Sequence, residues 1–424
     1  MLQLQTERPG LNAFSWIILG ALLLEFGLGL AANLLNLRAL RYEVPRELAG
    51  AYNPDDYRRS QEYTRATTRF GFVISTVTLA IVLAFWFGRG FPFLDQIARG
   101  WGLPLVPAGL AYTTILLGGY ALITLPFSVY GTFVIEQRFG FNRTTARTFI
   151  ADRLKGLGLA VVLGAALLAA VLALFQYIGS FAWLYCWAAV ILFTLAVQFV
   201  APNWIMPLFN KFTPMADGEL KQAILSYVRS VDFPLKNIYV MDGSKRSTRS
   251  NAFFTGFGRN KRIALFDTLI AQNTVPEMVA VLAHEVGHYK KRHILLGMVI
   301  SIVHMGVIFY LLSVLLDSPG LYRAFYVDQP SVYTGLIFFG LLYTPLELVL
   351  SIVMQAISRR NEAQADHFAA TTYDPASLAG ALKKLSRNNL ANLTPHPLFV
   401  FLNYSHPPVL ERVRALERTK AEAP

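Results

Sequence analysis

The chain has 424 residues, of which 54% are apolar and only 15% charged, with a mean hydropathy of +0.43. Soluble domains average about 25% charged residues, and disordered or collagen-like chains are polar or periodic in Gly and Pro, so these classes are excluded and a membrane protein remains. The formal charge of +12 then reports loops held beside anionic lipid rather than a nucleic-acid partner.

A helix needs about 20 mostly apolar residues to cross a bilayer. Seven stretches qualify, at 12–36, 70–88, 104–134, 156–178, 181–207, 293–316 and 331–357. The first is too long for a signal-peptide core and lacks a small-residue cleavage site, so it reads as a retained anchor. Between the third and fourth spans, FGFNRTTARTFIADRLKG reads as an amphipathic segment lying on the membrane surface. Glu25, Gln198, Asn203, His304 and Glu347 fall within spans. Each is costly against lipid, so these side chains are expected to face one another or water inside the bundle.

Basic residues set the orientation. Segments 37–69, 135–155, 208–292 and the tail after 357 carry seven, five, thirteen and nine Lys or Arg, while the opposite side carries only Arg8, Arg89, Arg99 and Arg323. Long loops translocate almost regardless of charge. Leaving out segment 208–292 still gives 21 against 4, which puts the C-terminus and the large loop in the cytoplasm.

Residues 281–293 read VLAHEVGHYKKRH. His284 and His288 are four apart, so on a helix both imidazoles leave one face and can hold a zinc ion. Glu285 points beside the metal, where it can take a proton from the attacking water and pass it to the leaving amine. This is the H-E-x-x-H pattern of zinc proteases. Thr274, Pro276 and Glu277 read as a capping box that starts this helix, which is expected to run through Lys290, Lys291 and Arg292 directly into the sixth span. At about 1.5 Å per residue, His288 then lies about 8 Å from the start of that span.

A catalytic zinc needs a third protein ligand and an open position. Segment 358–370, SRRNEAQADHFAA, offers Glu362 as ligand and Asp366, one helical turn on, as acceptor for a ligating imidazole. The chain crosses the membrane in the sixth span and returns in the seventh, so Glu362 arrives on the side that holds His284 and His288. Cys186 is the only cysteine and lies in an apolar run, so no thiolate competes for the metal. His293, His304, His367 and His396 read as structural.

HEVGHYK, EAQAD, SKRSTRSNAFFTGFG at 244–258, FVIEQRFGFNRTT at 133–145 and NYSHPPVLERVRAL at 403–416, with YEVPRELAGAY in the first loop, together resemble the type I CAAX prenyl endopeptidases, seven-span membrane zinc metalloproteases. Ala363 departs from the pattern, since family members more often carry an aromatic residue after the ligating Glu. The resemblance implies one zinc per chain on His284, His288 and Glu362, with Glu285 as base. It implies that Asn251 belongs to an edge strand pairing with an extended substrate, and that His406 and Arg412 stabilise the oxyanion. It also implies a large water-filled chamber among the spans. NIYVMDGS and RIALFDTLI are independently β-rich, so a small sheet beside the zinc helix is expected.

The reading is a mostly α, polytopic membrane protein with about seven transmembrane helices and a cytoplasmic HExxH zinc-protease domain containing a small β-sheet. Its regions are 1–207 with the first five spans, 208–292 with the HExxH helix, 293–357 with the last two spans, and 358–424 completing the zinc site. The partners are the lipid bilayer and a peptide or protein substrate, prenylated or membrane-associated. Two alternatives stay open: a transporter or channel with a structural metal site, and a protease that clears damaged or translocon-jammed membrane proteins. An Ala-, Leu-, Gly- and Arg-rich composition without a clear ER retrieval signal leans toward a bacterial inner membrane. The orientation is testable. A reporter active only in the cytoplasm should work when fused after residue 424 and stay silent in loop 317–330; activity in that loop reverses the topology.

Overall fold

The computed structural model describes residues 11–41, 43–255 and 261–422. Tyr42 and Gly256–Asn260, which fall in two of the segments carrying the family resemblance, lie outside the described residues. Among the described residues, seven helices are long and apolar enough to cross a membrane: Ala13–Arg38, Pro54–Phe87, Leu105–Glu136, Ala146–Tyr177, Gly179–Phe209, His293–Leu316 and Val332–Thr372. Only 6–17% of each apolar window is buried in protein, so the spans do not form one tightly packed bundle. Most of their surface is left to lipid or to internal water.

Several boundaries differ from the hydropathy reading, three of them for a clear local reason. The second helix starts sixteen residues early, at Pro54, because Asn53 caps it by accepting from the Asp56 amide at 2.7 Å, Pro54 occupies its first turn, and Asp55 and Asp56 suit the helix dipole. The segment after Gly140 is not a separate surface element. Thr145 caps a helix at Ala146 that continues through the fourth span. The HExxH helix does not run straight into the sixth span: it ends at Lys290, and Arg292 adopts φ 59° before a new helix begins at His293. Of the polar residues inside spans, His304 Nε2 lies 2.9 Å from the Tyr343 hydroxyl and 3.8 Å from Glu347, and Asn203 accepts from Arg262. Glu25 and Gln198 are exposed.

At the end of the spans away from the HExxH helix, Trp86, Phe91, Phe325 and Phe338 form a buried aromatic cap, with Trp86 Nε1 donating to the Ala324 carbonyl at 2.8 Å. At the other end stands a four-stranded sheet in the order β1-β2-β4-β3, made of Phe212–Pro214 (β1), Leu235–Met241 (β2), Ala252–Thr255 (β3) and Lys261–Phe266 (β4). β2 and β4 pair in parallel, and the outer strands pair antiparallel to them. β3 is therefore an edge. Ile238, Ile263 and Leu265 from the sheet pack with Met278, Leu282 and Val286 of the HExxH helix and with Leu378, Leu382, Val413 and Leu416 of the C-terminal helices.

The HExxH helix, Val275–Lys290, forms its capping box, with the Thr274 amide donating to Glu277 Oε2 at 2.7 Å. It packs on the far end of the seventh span's helix, which continues to Thr372 and carries both Glu362 and Asp366. Gly287 makes the contact possible: a Cβ there would lie 3.0 Å from the Ala365 Cα and 3.1 Å from its carbonyl oxygen. Those are backbone atoms that cannot rotate away. Gly287→Ala gains about 1 kcal/mol of helix propensity, while overpacking costs about 1–3 kcal/mol, so its net effect runs from about zero to about 2 kcal/mol of destabilisation. Gly287→Val adds two more carbons to the same space without that gain. It should lower the unfolding temperature and loosen metal binding together, whereas Gly297→Val, where a Cβ meets nothing within 4 Å, should do neither. Equal effects of the two in a detergent unfolding assay would refute the packing account.

Candidate metal centre and active site

His284 Nε2 and His288 Nε2 lie 3.2 Å apart. Glu362 faces both, with Oε2 3.3 Å from His284 Nε2 and Oε1 3.2 Å from His288 Nε2. The three side chains offer ligand atoms within 4.8 Å of one another. Glu362 is buried, and its Oε2 has no hydrogen-bond donor. A desolvated carboxylate oxygen without a donor is costly unless a cation meets it, and two imidazole nitrogens with one carboxylate are the donor set of a catalytic zinc site.

Each imidazole is held from behind. His284 Nδ1 lies 2.8 Å from Asp366 Oδ1, so it carries the proton and leaves Nε2 bare. Burial disfavours charge on His284, but the Asp366 and Glu362 carboxylates outweigh it and push its pKa up to about 9, so Nε2 becomes a free ligand atom when a metal displaces its proton. The second imidazole uses a different chain. His293 Nε2 donates to Gln364 Oε1 at 3.0 Å, so its Nδ1 accepts from His288 Nδ1, also at 3.0 Å. That leaves His288 Nε2 bare as well, and both free lone pairs converge on the space beside Glu362. Polar atoms behind a ligand set its tautomer and its orientation.

Arg412 is largely shielded, its side chain 11% exposed, and bonded twice to Asp366, from Nε and Nη2, each at 2.7 Å. Burial works against its charge, and the Asp366 bonds more than restore it. It is no surface ion pair. Its Nη1 also reaches to 3.6 Å from Glu362 Oε2. His406 is exposed; its Nε2 lies 3.3 Å from Glu362 Oε1 and its Nδ1 2.8 Å from the Ser405 hydroxyl. Glu285 leaves the helix beside the ligand face, and burial raises its carboxyl above the usual range.

A cavity of about 570 Å³ opens here, with Asn251, His284, Glu285, Glu362, His406 and Arg412 in its walls. His288 and Asp366 stand behind that lining. Asn251 stands directly before β3 rather than within it; its side chain accepts from the Ala252 amide at 2.9 Å and its carbonyl from the Phe266 amide at 3.1 Å. The segment leading to it is tied to the membrane helices. Arg246 makes a bidentate pair with Asp152 at 2.7 and 2.8 Å, and Arg249 bonds Glu136 and the Tyr63 hydroxyl.

Residues 33–211 match the family described as CAAX prenyl protease N-terminal, five membrane helices, and residues 214–420 match Peptidase family M48. The chain belongs to this family. It is 38% identical to the CAAX prenyl protease 1 homolog of Arabidopsis thaliana over 385 residues, which is 88% of this chain and 90% of that protein. It is 36% identical to CAAX prenyl protease 1 of Saccharomyces cerevisiae over 406 residues, 88% of each chain. The crystal structure of S. mikatae Ste24p superposes with a TM-score of 0.91 at 33% identity, covering 96% of this chain and all of that one. The M48 assignment makes the protein a multi-pass membrane metalloprotease, and the transporter alternative finds no support in these comparisons.

Sequence reasoning left His293 and Gln364 out of the site. The signal was present, since His293 follows His288 by five residues and Gln364 sits inside EAQAD, but the turn at Arg292 that brings them together is not periodic. Because His293 fixes the tautomer of His288, His293→Ala should weaken zinc affinity by about 10–100-fold with little change in unfolding temperature at saturating metal. Zinc titration of the apo protein measures it; unchanged affinity removes His293 from the site.

Proposed function

We propose that this chain is a zinc endopeptidase that hydrolyses peptide bonds in extended, membrane-associated segments of its substrates, prenylated CAAX-type tails among them, at the cytoplasmic face. The observation that carries the reading is the convergence of two imidazole nitrogens on a buried carboxylate oxygen without a donor, with His284 and Glu362 in the wall of one open cavity and His288 directly behind it. His284, His288 and Glu362 would hold one zinc, which supplies Lewis-acid polarisation of the scissile carbonyl. Glu285 takes the proton of the attacking water and returns it to the leaving amine; burial tunes its carboxyl toward the basicity this needs. His406 reaches into the cavity as a donor to the developing oxyanion. Arg412 adds fixed positive charge while holding Asp366. Asn251 opens the free edge of β3, to which an extended peptide adds by main-chain hydrogen bonds.

The named relatives are CAAX prenyl proteases, which brings lipidated C-terminal tails in as a substrate class. The position of the site at the end of the sixth and seventh spans supports it, since a membrane-anchored tail reaches this cavity without leaving the lipid surface. The basic bias of the short loops supports a cytoplasmic active site, and the composition leans toward a bacterial inner membrane. There a membrane-associated segment, rather than the prenyl group itself, would be the determinant. On this reading residues 1–207 and 293–357 supply the membrane scaffold, and 208–292 and 358–424 supply the two halves of the site.

Glu285→Gln separates the base from the ligands. It should keep near-stoichiometric zinc while turnover falls on the order of 10²- to 10⁴-fold, whereas Ala at His284, His288 or Glu362 should lose zinc and activity together. Metal analysis and peptide cleavage on the same samples decide it, and wild-type turnover by the Gln variant with zinc bound refutes the mechanism. In the same assay a farnesylated peptide and its acylated, non-prenyl counterpart should both be cut faster than a compact soluble protein. Equal cleavage of the folded protein refutes the substrate class.

A further inference from the structure

The second and third spans leave between them a groove of about 760 Å³ that the peptidase chemistry does not use. Both helices change character at its level. On the second, Glu62, Arg65 and Arg69 are the last charged residues and nothing from Phe70 to Phe87 is charged; on the third, Leu105–Ile135 is uncharged and Arg138 lies one turn beyond. The two helices therefore present the same order along the groove, with guanidinium groups at one end and an apolar wall at the other. Phe70, Phe127 and Tyr130 form the wall, with ring centroids 6.3 Å (Phe70 to Phe127) and 5.0 Å (Phe70 to Tyr130) apart. The opening has a backbone cause. Pro126 removes one helical hydrogen bond, and the following turn, Gly131–Glu136, is a wider π-turn, so the regular helical ladder of the third span is interrupted at the groove.

We propose that this groove is a binding site for an anionic phospholipid, with the phosphate between Arg69 and Arg138 and an acyl chain along Phe127, Tyr130 and Val73. Charge chooses the headgroup. Three arginines and one carboxylate, Glu62, line the polar end, and no ion pair ties Arg69 or Arg138 to a carboxylate among the described residues. The apolar wall chooses a lipid over a soluble anion, which would gain nothing from aromatic rings. A Tyr at the boundary between polar and apolar helix surface suits the headgroup level of a bilayer. The site is independent of which peptide is cut, and it lies one turn from Glu136, which holds Arg249 ahead of β3.

Full-length protein in neutral detergent, offered equal amounts of dioleoyl phosphatidylglycerol and dioleoyl phosphatidylcholine, should retain the anionic phosphatidylglycerol preferentially when read by native mass spectrometry. Arg69→Gln with Arg138→Gln should lower that preference by about 30-fold, and the double Lys variant should keep most of it. Millimolar inorganic phosphate should leave the lipid in place. Equal retention of the two lipids by the wild type, full preference in the Gln variant, or displacement by phosphate each overturns the site. A measurement without any variant backs this up: phosphatidylglycerol with a diazirine on one acyl chain, photolysed on the wild type, should label peptides containing residues 70–73 and 126–134. Labelling confined to other spans overturns the proposal.

Discussion

The close contact of the HExxH helix with the far end of the seventh span's helix is what the rest of the molecule depends on. Gly287 and Ala365 let two backbones approach where any larger pair would hold them apart. Each helix carries its polar residues one turn apart, His284 and His288 on one and Glu362 and Asp366 on the other. Close approach therefore converts two ordinary i,i+4 pairs into one cluster with four members. Glu362 and Asp366 sit on the same unbroken helix that crosses the membrane, so the distance of the site from the bilayer is fixed by helix rise and not by a loop. The break at Arg292 gives the other partner its freedom: the HExxH helix can settle on Ala365 while the sixth span takes its own direction.

A second set of contacts sets the position of the sheet. Asp152 belongs to the helix of the fourth span, Glu136 to that of the third and Tyr63 to that of the second; through Arg246 and Arg249 all three hold the few residues that precede β3. β3 has one free edge, and without these ties that edge could slide relative to the ligands. Bidentate Arg–carboxylate pairs resist sliding better than single bonds because their geometry is planar as well as polar. The membrane helices thus hold two things apart at fixed separation, the edge of β3 and the cluster of His284, His288 and Glu362.

The sequence made some of this legible and hid the rest for physical reasons. Long apolar stretches and the i,i+4 histidines are local patterns, so the seven spans and the HExxH helix could be read directly. Counting crossings placed Glu362 on the correct side, because topology needs only parity. Helix starts were less visible. Hydropathy is blind to Asn53, Pro54 and Thr145, which begin helices among polar residues. Contacts between distant residues were hidden altogether. Nothing local in Arg412 says that its fork closes on Asp366, and nothing in His293 says that it faces Gln364. The family resemblance offered roles for Arg412, but the Asp366 pairing emerges only from the packed helices.

The charges of the site show why its two acidic helix positions behave differently. Asp366 and Arg412 form an internally neutral pair held by two short bonds, so together they add little net charge to the pocket. What remains beside the bare imidazole nitrogens is Glu362, without a donor for Oε2, and Glu285 a helical step from both histidines. Once the His284 Nε2 proton is displaced, two carboxylates in a poorly solvated wall repel each other and the protein interior alike. Arg412 cannot neutralise both, because it is committed to Asp366 and stands 3.6 Å from Glu362. A single divalent cation balances the pair, whereas a monovalent ion leaves one charge uncompensated. Raising the proton affinity of Glu285 reduces the same imbalance from the other direction. The charge imbalance that makes the cluster costly to bury is therefore what a divalent cation at His284, His288 and Glu362 would relieve.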